Sequence, residues 1–135
     1  MKGILFLCLA NSARSQMAEG IVRSLVPPEI KVWSAGSRPT RVRPEAITVL
    51  GEIGIDISGQ SSKAVSEIPA HEVDTVITLC SEEECPLFLG QARRLHWSLP
   101  DPAAVQGSDQ ERLAAFRRTR DELRRRIAAF LAGIN

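Results

Sequence analysis

The chain has 135 residues, 44% of them apolar and 24% charged, the balance of one globular domain able to bury a core without disulfide or metal staples. No stretch approaches the ~20 consecutive apolar residues of a membrane span. The apolar start, residues 4–10, runs straight into Asn11 and Ser12, too short and badly flanked for a secretory leader; bulky Leu7 before Cys8 argues against a lipoprotein signal. A cytoplasmic, thiol-reducing setting is therefore expected. Seventeen basic residues against sixteen acidic leave a net charge of +1, without the basic excess of a general nucleic-acid binder.

Residues 2–8 form a short continuous apolar run, the pattern of a buried strand. Residues 14–25 read as a helix stopped by Pro27 and Pro28, and residues 30–34 as a second strand closed by Gly36. Pro44 opens a second helix over 44–53, and residues 62–68 read as a short helix. Residues 73–80 form a third buried strand and 93–99 a fourth. In the last helix Leu113, Phe116, Leu123, Ile127, Phe130 and Ile134 recur at spacings of three, four and seven, with a gap near Arg120, and Ser108 or Asp109 caps its start. Seven arginines between Arg112 and Arg126, interspersed with acids, read as a solvated face. Strands alternating with helices predict a parallel sheet covered on both faces by right-handed crossovers, with the site at the carboxyl ends of the strands. Cys8 ends the first strand and Cys80 the third. If those strands are neighbours, ~4.8 Å apart, the two cysteines come within the Cα separation of about 4.4–6.8 Å that a disulfide tolerates.

The first strand is followed by Cys8-Leu9-Ala10-Asn11-Ser12-Ala13-Arg14-Ser15 and then a helix. Such a strand-to-helix turn aims successive backbone N–H groups into one concavity, with the positive helix end behind it. Arg14 can grip two oxygens of a tetrahedral anion in a fork. Cys8 sits in the same field, which favours its thiolate, and Ser15 can donate to that thiolate. Asn11 tolerates left-handed backbone and can tie the loop together. The competing reading is a buried strand-end cysteine beside a surface arginine; the strand–loop–helix context weighs against it. Three cysteines, an odd number in a reducing compartment, exclude a disulfide framework and leave reactive thiols, a metal site or core residues.

The segment CLANSARSQMAEG resembles the phosphate-loop signature of the low-molecular-weight protein tyrosine phosphatase superfamily, which includes phosphatases and thioredoxin-coupled arsenate reductases. The resemblance extends through WSAG at Trp33, GIDIS at Gly54, VDTVITLC and Asp101-Pro102. It implies a single α/β domain: a four-stranded parallel sheet in order 2-1-3-4, flanked by helices. It also implies that Asp101, held between Pro100 and Pro102, is the general acid. The competing reading of Asp101 is a turn residue.

A phosphatase of this kind needs one cysteine, whereas this chain adds Cys80 and Cys85 in Cys80-Ser81-Glu82-Glu83-Glu84-Cys85. Arsenate is nearly isosteric with phosphate, and its reduction takes two electrons, which two thiols can supply. Reductases similar to this chain imply the order Cys8, Cys80, Cys85, ending in a Cys80–Cys85 disulfide that thioredoxin reduces; glutaredoxin with glutathione suits a chain lacking a usable Cys85. Ser81 with Glu84 reads as a capping box, and Pro86 biases Cys85 away from helix. Closing Cys80–Cys85 therefore predicts an oxidised form with the 81–92 segment displaced, while the glutamates oppose nearby thiolates by like charge.

The Asp-Pro is followed by Ala103 and Ala104, and the chain has no tyrosine; both favour a small inorganic oxyanion over a phosphotyrosyl peptide. Glu19, Ser34 and Asn11 match residues that hold a monovalent cation in some reductases. Lys63 replaces a further acidic ligand, so little or no potassium dependence is expected. Arg38, Arg41 and Arg43 either attract anions or form a solvated basic loop. Trp33 and Trp97 read as packing residues. Cys-x4-Cys with His71 or His96 is poor zinc spacing. The expectation is thus an arsenate reductase without cofactor or metal, acting as a monomer on an arsenate or phosphate oxyanion. The alternatives are a phosphatase working through a Cys8 phosphocysteine, with the other thiols protecting Cys8, and a three-thiol arsenite or zinc binder.

Overall fold

The amino-terminal apolar run becomes the middle of a sheet. The computed structural model describes residues 1–81, 85, 86, 88 and 90–133. Strand β1 (Gly3–Leu7) is buried along its whole length, as a strand paired on both sides and covered on both faces must be. It lies between β2 (Lys31–Ala35) and β3 (Thr75–Thr78), with β4 (Arg93–His96) outside β3. The order is β2-β1-β3-β4 and all pairings are parallel, as the resemblance implied. Strands β3 and β4 are shorter than the 73–80 and 93–99 expected. Beyond them the pairing thins to single hydrogen bonds, Trp97 N to Thr78 O (2.8 Å) and Leu99 N to Leu79 O (3.3 Å).

Helix α1 (Arg14–Leu25) has the expected bounds, and α2 (Pro44–Gly51) ends two residues early. The chain turns at Gly54, whose φ of +80° is in the region glycine favours, and Ile55 N returns to Leu50 O (3.0 Å). The short helix expected over 62–68 contracts to a 3₁₀ turn at Val65–Glu67, followed by another at Ala70–Glu72. The cause lies upstream: Gly36 N donates to Lys63 O (2.9 Å) and Val65 N to Gly36 O (3.2 Å), which holds residues 63–65 as a bridge beside the sheet. Pro69 then ends the turn.

Helix α3 (Asp109–Ala132) is capped by Ser108. Its Oγ accepts from Glu111 N (3.1 Å) while Glu111 Oε1 accepts from Ser108 N (3.2 Å). The final periodic residue, Ile134, lies outside the described residues. The gap in periodicity at Arg120 is not solvated as expected. Arg120 is 9% exposed, and its Nη1 donates to Val49 O (2.9 Å) and Glu52 Oε1 (2.8 Å). Arg117 completes the junction with a two-toothed grip on Glu52 (2.7–3.1 Å). The bond from Arg117, then that from Arg120, holds the Glu52 carboxyl down to about 2 from its ordinary 4.5.

The two sheet faces are covered differently. Ile4, Phe6, Ile77 and Leu79 meet Met17 and Ile21 of α1, Val49 and Leu50 of α2, and Phe116, Leu123 and Ile127 of α3. Each large side chain buried there contributes about 1.5–3 kcal/mol. Trp97 packs between Phe6 and Phe130, with ring centroids 6.2 and 5.9 Å away. On the opposite face Leu5, Leu7 and Val76 are covered by Ile68, Val73 and Phe88. A right-handed crossover from β3 to β4 passes over that second face, which is why Phe88 lies there. No described helix is long and apolar enough to cross a membrane.

Candidate active site

The turn between β1 and α1 owes its shape to its carbonyl groups. Leu9 O accepts from Arg38 N (3.0 Å), Ala10 O from Thr40 N (3.1 Å) and Ser12 O from Arg43 N (2.8 Å). Ser62 Oγ also donates to Ala10 O (3.1 Å), Gln16 Nε2 to Asn11 O (3.2 Å) and Met17 N to Ala13 O (2.9 Å). In a trans peptide the N–H points opposite to the preceding C=O. Tying the carbonyls of Leu9 to Ala13 outward therefore turns the amides of Ala10 to Arg14 the other way. Among the described residues the amides of Ala10 to Ala13 donate to no protein acceptor, and those of Ser15 and Gln16 lie in the first turn of α1, where N–H groups have no acceptor within the helix. A row of amides at a helix start is an anion cradle.

The expected left-handed residue is Asn11, with φ of +49°. Its Oδ1 accepts from Lys63 N (2.7 Å) and Gln16 Nε2 (2.9 Å). Since a backbone N–H can only donate, the amide orientation is fixed, and Nδ2 is the atom that donates to Ser15 Oγ (2.8 Å). Ser15 Oγ lies 2.8 Å from Cys8 Sγ. With Ser15 already accepting from Asn11, its own proton is free for the sulfur. Cys8 is 2% exposed and unbridged, with the Ser15 hydroxyl beside its sulfur. Gly36 passes beneath the loop so closely that a Cβ there would overlap the carbonyl oxygens of Cys8 and Leu9.

Arg14 is buried, and its Nη1 donates to Leu99 O (3.0 Å) and Leu79 O (3.4 Å). These contacts tie the anion loop to the ends of both neighbouring chain segments: Leu79 precedes Cys80 and Leu99 lies two residues before Asp101. Asp101 Oδ1 accepts from Ala103 N (3.0 Å) and caps the 3₁₀ turn Pro102–Ala104, so its backbone and χ1 are set from both sides.

Cys80 and Cys85 are joined by a disulfide with Cα atoms 5.6 Å apart. Cys80 is fully buried and Cys85 half-buried. β1 and β3 are neighbours, as the disulfide argument required. Their register, Leu7 opposite Thr78, puts Leu79 across from Cys8 and Cys80 one step beyond. The capping box expected between Ser81 and Glu84, and the glutamates expected to influence the thiols, lie outside the described residues.

Behind the loop, Glu19 Oε1 accepts from Ser34 Oγ (2.6 Å) and stands 3.6 Å from Lys63 Nζ, while Oε2 pairs with Arg23 (2.6 Å). Glu19, Ser34 and Lys63 are thus together as the resemblance implied, and two cations face the carboxylate. Among the described residues no cluster of three or more His, Cys, Asp or Glu side chains is arranged for a metal. The sequence reading missed the backbone role of residues 38–43. Their three arginines drew attention to charge, but it is the amides of Arg38, Thr40 and Arg43 that shape the loop. It also missed Gln16 and Gln60, which bond to one another behind Asn11 (2.7 Å).

The fold and loop define a phosphate-loop α/β protein with a cysteine at the base of its anion cradle. The chain belongs to the low molecular weight phosphotyrosine protein phosphatase family, whose model matches residues 3–135. It is 44% identical to an arsenate reductase of Halalkalibacterium halodurans, over 96% of this chain and 94% of that one. It is 41% identical to the arsenate reductase of Bacillus subtilis with the same coverage. A solved structure described as an arsenate reductase in the phosphate binding state superposes with a TM-score of 0.82 at 38% identity, covering all of both chains.

Proposed function

We propose that this protein reduces arsenate to arsenite by a relay through Cys8, Cys80 and Cys85, with thioredoxin as final reductant. The observation that supports this most is the disulfide between Cys80 and Cys85 while Cys8 stays unbridged in the anion loop: the sulfur bookkeeping with which such a relay ends.

Arsenate enters the cradle of Leu9 to Ser15, with Arg14 turning from its carbonyl partners to two oxygens of the anion. The Cys8 thiolate, held by Ser15, attacks arsenic, and Asp101 protonates the departing hydroxyl so that it leaves as water. Asp101 Oδ1 is committed to the Ala103 amide, which leaves Oδ2 to carry the proton. The Cys80 thiolate then attacks Cys8 Sγ; the S–As electron pair stays on arsenic, As(V) becomes As(III), and a Cys8–Cys80 disulfide remains. Cys85 attacks Cys80, Cys8 leaves as thiolate, and the oxidising equivalent moves to Cys80–Cys85. Of that pair Cys85 is the more exposed residue, so an external dithiol attacks there. Cys80 sits one step past the register position of Cys8 and passes its sulfur bond from Cys8 to Cys85.

NADPH consumption with thioredoxin and thioredoxin reductase, started by arsenate, tests this. Turnover is expected in wild type and lost in Cys8→Ser, Cys80→Ser and Cys85→Ser; turnover surviving in Cys85→Ser removes that residue from the relay. Because the anion loop and Asp101 are assembled independently of the disulfide, weak aryl-phosphate hydrolysis is expected to persist in Cys80→Ser and Cys85→Ser. Hydrolysis without any arsenate turnover would instead support a phosphatase.

A further inference from the structure

Phe88 and Gly90, which follow Cys85, are seated by a clamp outside the anion loop. Phe88 is 5% exposed and packs against Leu5, Leu7 and Val76 on the second face of the sheet. Arg94 stands opposite Val76 in the β3–β4 register, on that same face. Its Nη2 donates to Phe88 O (2.7 Å) and Gly90 O (2.8 Å), and its guanidinium carbon lies 6.0 Å from the Phe88 ring centroid, at the outer reach of a cation–π contact. Gly90 belongs to the same arrangement, because a Cβ there would overlap the Phe88 ring. The ring anchors the chain by burial. The arginine adds direction, fixing two main-chain carbonyls to a side chain of β4 and hence the approach of Cys85, three residues before Phe88.

We propose that Arg94 is a positioning residue for the relay: by gripping Phe88 and Gly90 it holds Cys85 against Cys80 and favours their disulfide over the dithiol. This rests on the relay proposed above. In the step concerned Cys85 gives its proton to solvent and attacks Cys80 Sγ. The new Sγ–Sγ bond forms, the Cys80–Cys8 bond breaks, and its electron pair leaves with Cys8. Arg94 carries no electrons; it narrows the positions Cys85 must search, the contribution positioning makes to an intramolecular reaction.

The test isolates the couple in a Cys8→Ser background. Fractions of disulfide and dithiol are measured by thiol labelling after equilibration with oxidised and reduced dithiothreitol mixtures. Arg94→Met, which keeps the aliphatic stem over Phe88 but has no donors, is expected to make the disulfide about tenfold easier to reduce, a rise of about 30 mV. Arg94→Lys keeps the charge without the two-carbonyl grip and is expected to fall between. A value for Arg94→Met within twofold of the parent overturns the proposal, as does a disulfide that becomes harder to reduce. If Cys85→Ser abolishes arsenate turnover while Arg94→Met leaves the couple unshifted, the clamp fails and the relay stands. If the couple shifts but turnover survives in Cys85→Ser, the relay fails and the clamp remains a property of the disulfide.

Discussion

Removing one hydroxyl, in Ser15→Ala, separates the reactivity of Cys8 from the shape of its loop. Ser15 Oγ accepts from Asn11 (2.8 Å) and has its proton free for Cys8 Sγ (2.8 Å), both within a fully buried pocket. A hydrogen bond to a charged group is worth about 1.5–3 kcal/mol, which converts to roughly a 10- to 100-fold effect. Alkylation of Cys8 by iodoacetamide at pH 7, followed in a Cys80→Ser/Cys85→Ser background so that one thiol reports, is expected to slow by that factor. The loop carbonyls and their partners do not involve Ser15, so binding of phosphate, measured by its protection against alkylation, is expected to survive. Some stability is lost because Asn11 Nδ2 is left unpaired, at about 1–3 kcal/mol. Asn11→Asp acts in the same direction by another route: a carboxylate at that position takes the Ser15 proton for itself. An alkylation rate within twofold of the parent in Ser15→Ala would refute the reasoning, since the hydroxyl would then not be directing its proton at the sulfur.

Gly36→Ala forces a methyl onto the carbonyls of Cys8 and Leu9; a loss of about 1–3 kcal/mol is expected in urea unfolding, and an unchanged midpoint would show that the loop yields freely. Glu52 is held near 2 in the folded protein against 4.5 ordinarily, so its contribution is complete above pH ~4.5 and drains away as pH falls towards 2. Tryptophan fluorescence should therefore report a shallower loss of stability in Glu52→Gln over that window, and parallel curves would count against the junction. With Lys63 and Arg23 both facing Glu19, arsenate turnover is expected to be equal in potassium and sodium buffers; stimulation by potassium beyond twofold would show that a metal cation competes successfully there.

Much of this was legible in the chain. The α1 bounds, the central buried strand and the cap at Ser108 follow from local chemistry: a proline stop, an unbroken apolar run, a serine three residues before a glutamate. The strand-to-helix turn between Cys8 and Arg14 was also legible, from an apolar run followed by a polar loop and a helical pattern. What stayed hidden depends on partners distant in sequence. Arg120 looked like one more charge on a wet helix face, since nothing local shows that Val49 O and Glu52 lie beneath it. The bridge at Gly36 and Ala64 converted an expected helix into a 3₁₀ turn by occupying backbone groups that a helix needs. The same holds for the clamp of Arg94 on Phe88, in which a residue of an exposed edge strand takes hold of a segment it merely follows in the chain.

The strip from Arg38 to Arg43 shapes the anion loop through its main chain. It contributes amides at positions 38, 40 and 43, while the neighbouring positions 39 and 44 are prolines, residues with no amide to give. Any amino acid except proline can supply those three bonds. The lettering on the rim of the site can therefore be rewritten, in charge or in size, without altering the mould that shapes the anion loop. In such an arrangement the choice of what approaches the cysteine and the ability to bind it are inherited separately, and a lineage can change the first while leaving the second intact.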